Sequence, residues 1–159
     1  MINSFPTTKE RENQVLLSTA SIVCLATNLY FEARGENRLG QYAVAEVTLN
    51  RVASPDYPDD VCSVVKQAYV DANGNPRRHK CQFSWYCDGK SDKPKDRRAW
   101  SRSLEVAVEA LLDFSTEERR IVGHNVHHYH NKKVKPRWAK AMRPVAVVGN
   151  HIFYEEENG

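Results

Sequence analysis

Apolar residues recur at Ile22, Leu25, Ala26, Leu29 and Ala33, and the run stops at Gly35. Intervals of three and four put them on one side of an α-helix, so the rest of the chain must supply a core for that side. Gly35 stands where a left-handed C′ glycine closes a helix, which assigns Glu32 and Arg34 to the last turn. A carboxylate is out of place there. The unpaired carbonyls at a helix C-terminus favour Lys or Arg, typically by about 0.3–1 kcal/mol. Tyr30 and Phe31 beside it add desolvation. Both effects raise a carboxyl pKa, the property a general acid needs near neutral pH. The plainer reading keeps Glu32 as a solvated helix-end residue paired with Arg34 or a lysine, since structural ion pairs are common.

Around this helix the remaining elements follow from local signals. Ser18 or Thr19 offers its N-cap, and Thr7-Thr8-Lys9-Glu10 is a capping box for a shorter helix to about Leu17. Asn37 caps a helix from about Arg38 to Val52, whose Tyr42, Ala43, Val44, Ala45, Val47 and Leu49 predict deep burial. Pro55 and Pro58 end it. Asp60 opens a third helix over Val61 to Ala68, and Asn73-Gly74 predicts a hairpin with arms Tyr69-Val70 and Cys81 to Tyr86. Asp96 starts the most regular helix, ending near Phe114; Pro136 to Met142 predicts a helical turn or two. Val145 to Val148 and His151 to Tyr154 read as a terminal hairpin. With 159 residues, 41% of them hydrophobic, and no internal repeat, the expectation is a single α+β domain, mainly helical, with small β-hairpins.

No apolar run approaches the roughly 20 residues of a membrane span, so stable membrane insertion is not expected. The first residues lack a basic stretch followed by an apolar core, so no secretory signal is read there. The net charge is +3, and basic runs at 77–80, 93–98 and 132–137 read first as solvated faces. They fit an anionic wall polymer, and a nucleic-acid partner is not expected. Cys24, inside the apolar helix, reads as a buried thiol; Cys81 and Cys87 are candidates for a small disulfide loop.

Leu29-Tyr30-Phe31-Glu32-Ala33-Arg34-Gly35-Glu36, followed by Gly40-Gln41, Ala43-Val44-Ala45 and Leu49-Asn50-Arg51-Val52, resembles the spore-cortex-lytic cell wall hydrolase family. Gln82-Phe83-Ser84, Asp88-Gly89, His128-Tyr129-His130-Asn131 and Gly149-Asn150-His151 with Phe153-Tyr154 continue the resemblance in order, over about residues 20–155. It implies a lysozyme-like, lytic-transglycosylase-like fold acting on peptidoglycan between N-acetylmuramic acid and N-acetylglucosamine. It maps the catalytic glutamate onto Glu32 and needs no cofactor. Tyr129 and Asn131 are candidates for contacting sugar hydroxyls or the acetamido group; the alternative is that they order a strand and turn. Gln82, Ser84 and Trp138 are candidate subsite residues, with Trp138 equally a core residue. Glu36, Glu46, Asp56 and Asp88 are the candidates for a second carboxylate; the competing reading gives surface charge, or a partnership of Glu36 with Arg34 or Arg51. A chain of this kind with no signal resembles a phage endolysin, reaching the wall or periplasm through a lesion made by a holin-like protein.

Other chemistries remain on the sequence alone. Ordinary muramidase hydrolysis would cut the same bond with two carboxylates. His124, His127, His128, His130 and His151, or His79 with Cys81 and Cys87, supply metal-ligand types for a zinc amidase or a nuclease. No His-Glu-x-x-His motif or Cys-x-x-Cys knuckle is present, so no metal is expected. A non-catalytic wall-binding module is the remaining class.

Overall fold

The computed structural model describes residues 17–118 and 120–156. The helix expected from Thr7 lies outside them except for its last residue. Helix α1, Thr19–Ala33, starts at Ser18, whose hydroxyl accepts the Ser21 N–H at 3.1 Å. Leu25, Ala26, Leu29 and Ala33 turn into the core as the stripe requires. Helix α2, Arg38–Ala53, is capped by Asn37, whose Oδ1 accepts the Gly40 N–H at 2.9 Å. Every residue from Gly40 to Arg51 is buried, so α2 is the central rod. Its buried polar side chains therefore need internal partners. Helix α3, Val61–Val65, and helix α4, Arg97–Thr116, begin at Asp60 and Asp96 with the same carboxylate-to-N–H cap.

Between α3 and α4, strands β1 (Ala68–Val70) and β2 (Pro76–Cys81) form an antiparallel hairpin, and Ser84–Cys87 makes one 3-10 turn. The expected third helix is shorter than its apolar spacing predicts, because Ala68 pairs with Cys81 in the hairpin. The second arm is also displaced. Asp71 accepts the N–H groups of Asn73 and Asn75, and Gly74 takes φ 82°, so the chain has already reversed by Pro76. Phe83 and Trp85 consequently enter the core from the 3-10 turn rather than from a strand. Trp85 donates its indole N–H to Asn28 of α1 at 2.9 Å and stacks on Phe31 at 5.1 Å.

Strands β3 (Val126–Asn131), β4 (Met142–Val148) and β5 (His151–Glu156) form an antiparallel sheet in the order β3-β5-β4, with a 3-10 turn at Arg137–Ala141 before β4. The expected terminal hairpin is thus two thirds of a sheet whose third member is the histidine-rich segment. β4 begins earlier than expected and carries Pro144, which an edge strand tolerates. Strand alternation sorts the site: Tyr129, Asn131, His151 and Phe153 share the inner face, while His128, His130, Ile152 and Tyr154 share the outer one.

Two sequence expectations change. Cys24 is not a free thiol; it is bonded to Cys62, joining α1 to α3, while Cys81 and Cys87 pair as a small loop. Half-buried Cys24 lies on the side of α1 that faces α3, which the helical stripe alone does not reveal. Gly35 is not left-handed either. α1 ends in a turn closed by the Glu36 N–H on the Ala33 carbonyl at 2.9 Å, with Arg34 still in the right-handed helical region.

Candidate active site

Glu32 lies in the last turn of α1, where Phe31 stacks on Trp85 and the inner face of the sheet approaches. Burial pushes its carboxyl up to about 7, against smaller lowering effects from the Tyr129 hydroxyl and the Arg51 charge. Tyr129 projects from β3 as its neighbour. The phenol is buried beside the carboxyl, but its oxygen completes no hydrogen bond of full geometry, so the pair is adjacent rather than locked. Burial also holds the phenol well above its ordinary pKa, so it is a neutral O–H donor at any working pH.

Arg51, in the last turn of α2, is 3% exposed. Its Nε–H donates to the His127 carbonyl at 2.8 Å, and its guanidinium packs between the rings of Tyr57 and Phe83. In the sequence Arg51 stands in the Leu49-Asn50-Arg51-Val52 block and as a possible partner of Glu36, with no site role of its own. The available signal was an arginine inside an otherwise buried helix.

Glu36 has a different job. Buried at the start of α2, its carboxylate accepts the Asn150 backbone N–H at 3.2 Å and stands 3.3 Å from His151 Nδ1. The His151 contact lies within ion-pair distance but misses hydrogen-bond geometry, so the backbone bond is the firmer tie. Neither Arg34 nor Arg51 is its partner. The carboxylate pins the β4–β5 turn to α2, and that turn needs Gly149 twice over: φ is 57°, and a Cβ there would lie 2.5 Å from Glu36 Oε2. Gly149→Ala should therefore lower stability by about 1–2 kcal/mol from the left-handed backbone alone, read by urea unfolding. A neutral result would show that the turn relaxes freely.

The other candidate second carboxylates are either engaged or exposed. Glu46 is held by the N–H groups of Ile121, Val122 and Gly123, at 2.8, 3.2 and 3.3 Å. Asp88 accepts the Lys90 N–H, and Asp56 is exposed, its charge acting on Tyr57 and His127. Among the described residues, the side chains that act on Glu32 are Tyr129 and Arg51, neither of them a carboxylate.

The remaining candidates spread out. Asn131 shares the inner sheet face, its side-chain carbonyl accepting the Lys133 N–H at 2.9 Å. Gln82 and Ser84 are exposed on either side of Phe83; Gln82 edges a hollow of about 390 Å³ with Gln67, Tyr69 and Lys80, which does not include Glu32. Trp138 is half-buried on the outer sheet face against His128, His130 and Tyr154. His130 is engaged by the Tyr154 hydroxyl at 2.7 Å. Among the described residues, no three His, Cys, Asp or Glu side chains converge as a metal-binding set, and no helix is long and apolar enough to cross a membrane.

Residues 35–154 match the cell wall hydrolase family. Spore cortex-lytic enzymes of Halalkalibacterium halodurans and Bacillus cereus are each 29% identical over 136 residues, 86% of this chain. The chain spans 35% and 44% of their lengths, less than half of either. The catalytic domain of the germination-specific lytic transglycosylase SleB from Bacillus anthracis superposes with a TM-score of 0.60 at 29% identity, covering 87% of this chain and 96% of that one. The Bacillus cereus SleB catalytic domain, 24% identical, shares the fold with a TM-score of 0.58, covering 96% of this chain and all of that one. The fold is accordingly α+β and lysozyme-like. The matched range opens at Gly35, three residues beyond Glu32, so the case for that carboxyl rests on its surroundings. By a family match that runs through most of its length and a shared fold, this chain belongs to the cell wall hydrolase family.

Proposed function

We propose that this chain cleaves peptidoglycan glycan strands between N-acetylmuramic acid and N-acetylglucosamine as a lytic transglycosylase, with Glu32 as the general acid and base. The observation that carries it is a carboxyl held protonated to about 7, beside a phenol and a buried arginine, with no second carboxylate among the described residues acting on it. The similarity to spore cortex-lytic enzymes and to the SleB lytic transglycosylase domain supports the substrate class.

Protonated Glu32 donates to the glycosidic oxygen as the bond to the muramoyl C1 breaks. Positive charge develops at that carbon and its ring oxygen. The muramoyl 6-hydroxyl attacks C1, and the Glu32 carboxylate takes the hydroxyl proton, leaving a 1,6-anhydro end and a regenerated acid. One carboxyl serves both steps, whereas ordinary hydrolysis uses two flanking carboxylates. Tyr129 and Asn131, on the inner sheet face, are proposed to steady the sugar beside Glu32. Gln82, Ser84 and Trp138 stand farther out, as candidates for more distant parts of the strand. Action at the wall, outside the reducing cytoplasm, fits the two disulfides.

The pH dependence follows from the acid. Only the protonated carboxyl can donate, so kcat/KM on peptidoglycan should fall as pH rises through about 7. An alkaline limit below pH 5.5 would remove Glu32 from the acid role. The class of reaction is tested by digesting purified sacculi with and without a chelator. Glycan fragments with intact stem peptides, released equally in both, are expected. Release of free stem peptides that stops on chelation would point to an amidase instead.

A further inference from the structure

Arg51 carries a charge that the acid step described so far does not use. It is buried, and no carboxylate among the described residues comes within ion-pair distance of it. Burying a guanidinium without a counter-ion is costly, so folds retain one where a specific arrangement supports it. Here the support is partial: a carbonyl takes Nε–H, two aromatic faces flank the cation, and Nη1 is enclosed with no acceptor.

The groups that face this cation come from several elements. Glu32 approaches from α1, Tyr129, His127 and His128 from β3, and Tyr57 from the segment after α2. Asp56 and Glu156 add negative charge on the His127 side, and Glu156 reaches His128 and Tyr57 as well. Burial, joined by the Arg51 charge, pushes both histidines below their ordinary values, so they remain neutral around pH 7. Tyr57 and Tyr129 are held above theirs, mainly by burial. When Glu32 is protonated, the guanidinium therefore stands in the site without an opposite charge on it.

We propose that Arg51 is a positioning residue for proton donation, the built-in counter-charge for the carboxylate that Glu32 becomes when its proton leaves. A fixed cation aimed at charge that appears during reaction needs no reorganisation at that moment. It also sets a compromise. Burial alone would push the carboxyl higher still, and the Tyr129 hydroxyl first, then the Arg51 charge, draw its acidity back toward the working pH. This rests on the reading of Glu32 as the acid.

The test follows the Glu32 carboxyl carbon by NMR as pH is varied, alongside the pH–rate profile on peptidoglycan. Arg51→Gln should raise the Glu32 midpoint by about one pH unit or more and move the alkaline limb with it. Maximal kcat should fall by about tenfold or more, with KM little changed. Arg51→Lys should restore most of the midpoint. A folded Arg51→Gln whose midpoint stays put overturns the proposal, as does a slower enzyme with an unmoved limb. Citrulline at position 51, neutral and of the same shape, is the second variant if Arg51→Gln does not fold. Failure of both neutral forms to fold would make the cation structural and would also overturn it. If no glycan is cut at all, the function fails, while the carboxyl titration still decides whether Arg51 and Glu32 are coupled.

Discussion

Glu32→Gln should leave a folded protein whose peptidoglycan cleavage is reduced by at least about a thousandfold, within the range that loss of a general acid produces. The amide has nearly the shape of the protonated carboxyl and can still meet the Tyr129 hydroxyl. It has no proton acidic enough to give to a glycosidic oxygen. Stability should move the other way. The folded state holds a Glu32 proton to about 7, whereas the ordinary value is 4.5, so folding binds that proton across the interval. Wild-type stability therefore declines as pH rises from about 4.5 to about 7, and the amide is spared this loss. The variant should melt above the wild type at pH 8, with the gap closing below pH 4.5. Retention of most activity, or a variant that is less stable at pH 8, would contradict the placement of this carboxyl.

The second large effect lies in the Cys24–Cys62 bridge. The two residues are 38 apart, and the loop they close contains Glu32, Glu36, Arg51 and the whole of α2. On a chain-entropy basis, removing it costs about 4 kcal/mol, against a total of about 5–15 kcal/mol for a typical domain. For a chain of this length that corresponds to a fall in Tm of about 10 °C. Replacing both cysteines by alanine, then measuring the thermal transition, should show a loss of that size. The Cys81–Cys87 pair closes a separation of only 6, and its removal should cost about 2 kcal/mol. Equal losses from the two replacements would show that loop length is not what sets their contribution.

Local chemistry was well written in the sequence. Ser18, Asn37, Asp60 and Asp96 each begin a helix by accepting a backbone N–H three residues on, an interaction decided by neighbours along the chain. Glu32 was visible for the same reason, since a carboxylate in a last turn beside two aromatics is a local anomaly. What the sequence left hidden depends on distant partners. Arg51 becomes unusual only once its burial and lack of a counter-ion are known. Glu36 finds Asn150 and His151 across 114 and 115 positions, a pairing that no spacing rule proposes. The third strand is legible in the sequence only as an alternative role for Tyr129 and Asn131, because Val126–Asn131 is rich in histidine and mostly half-buried, with no apolar alternation to announce it. The hairpin arm was misplaced because a hydrophobic segment, Phe83 to Trp85, attracts a strand assignment, although the turn geometry reverses the chain earlier.

Capture by the muramoyl 6-hydroxyl distinguishes this account from hydrolysis at the same bond, because one acid/base and no attacking water are required. Digestion of purified peptidoglycan in water enriched in oxygen-18, followed by mass spectrometry of the new muramoyl ends, reads this directly. The expected ends are lighter by one water than a reducing sugar and free of the heavy isotope. New reducing ends carrying oxygen-18 would contradict it, because a water would have done the work assigned to the sugar's own hydroxyl.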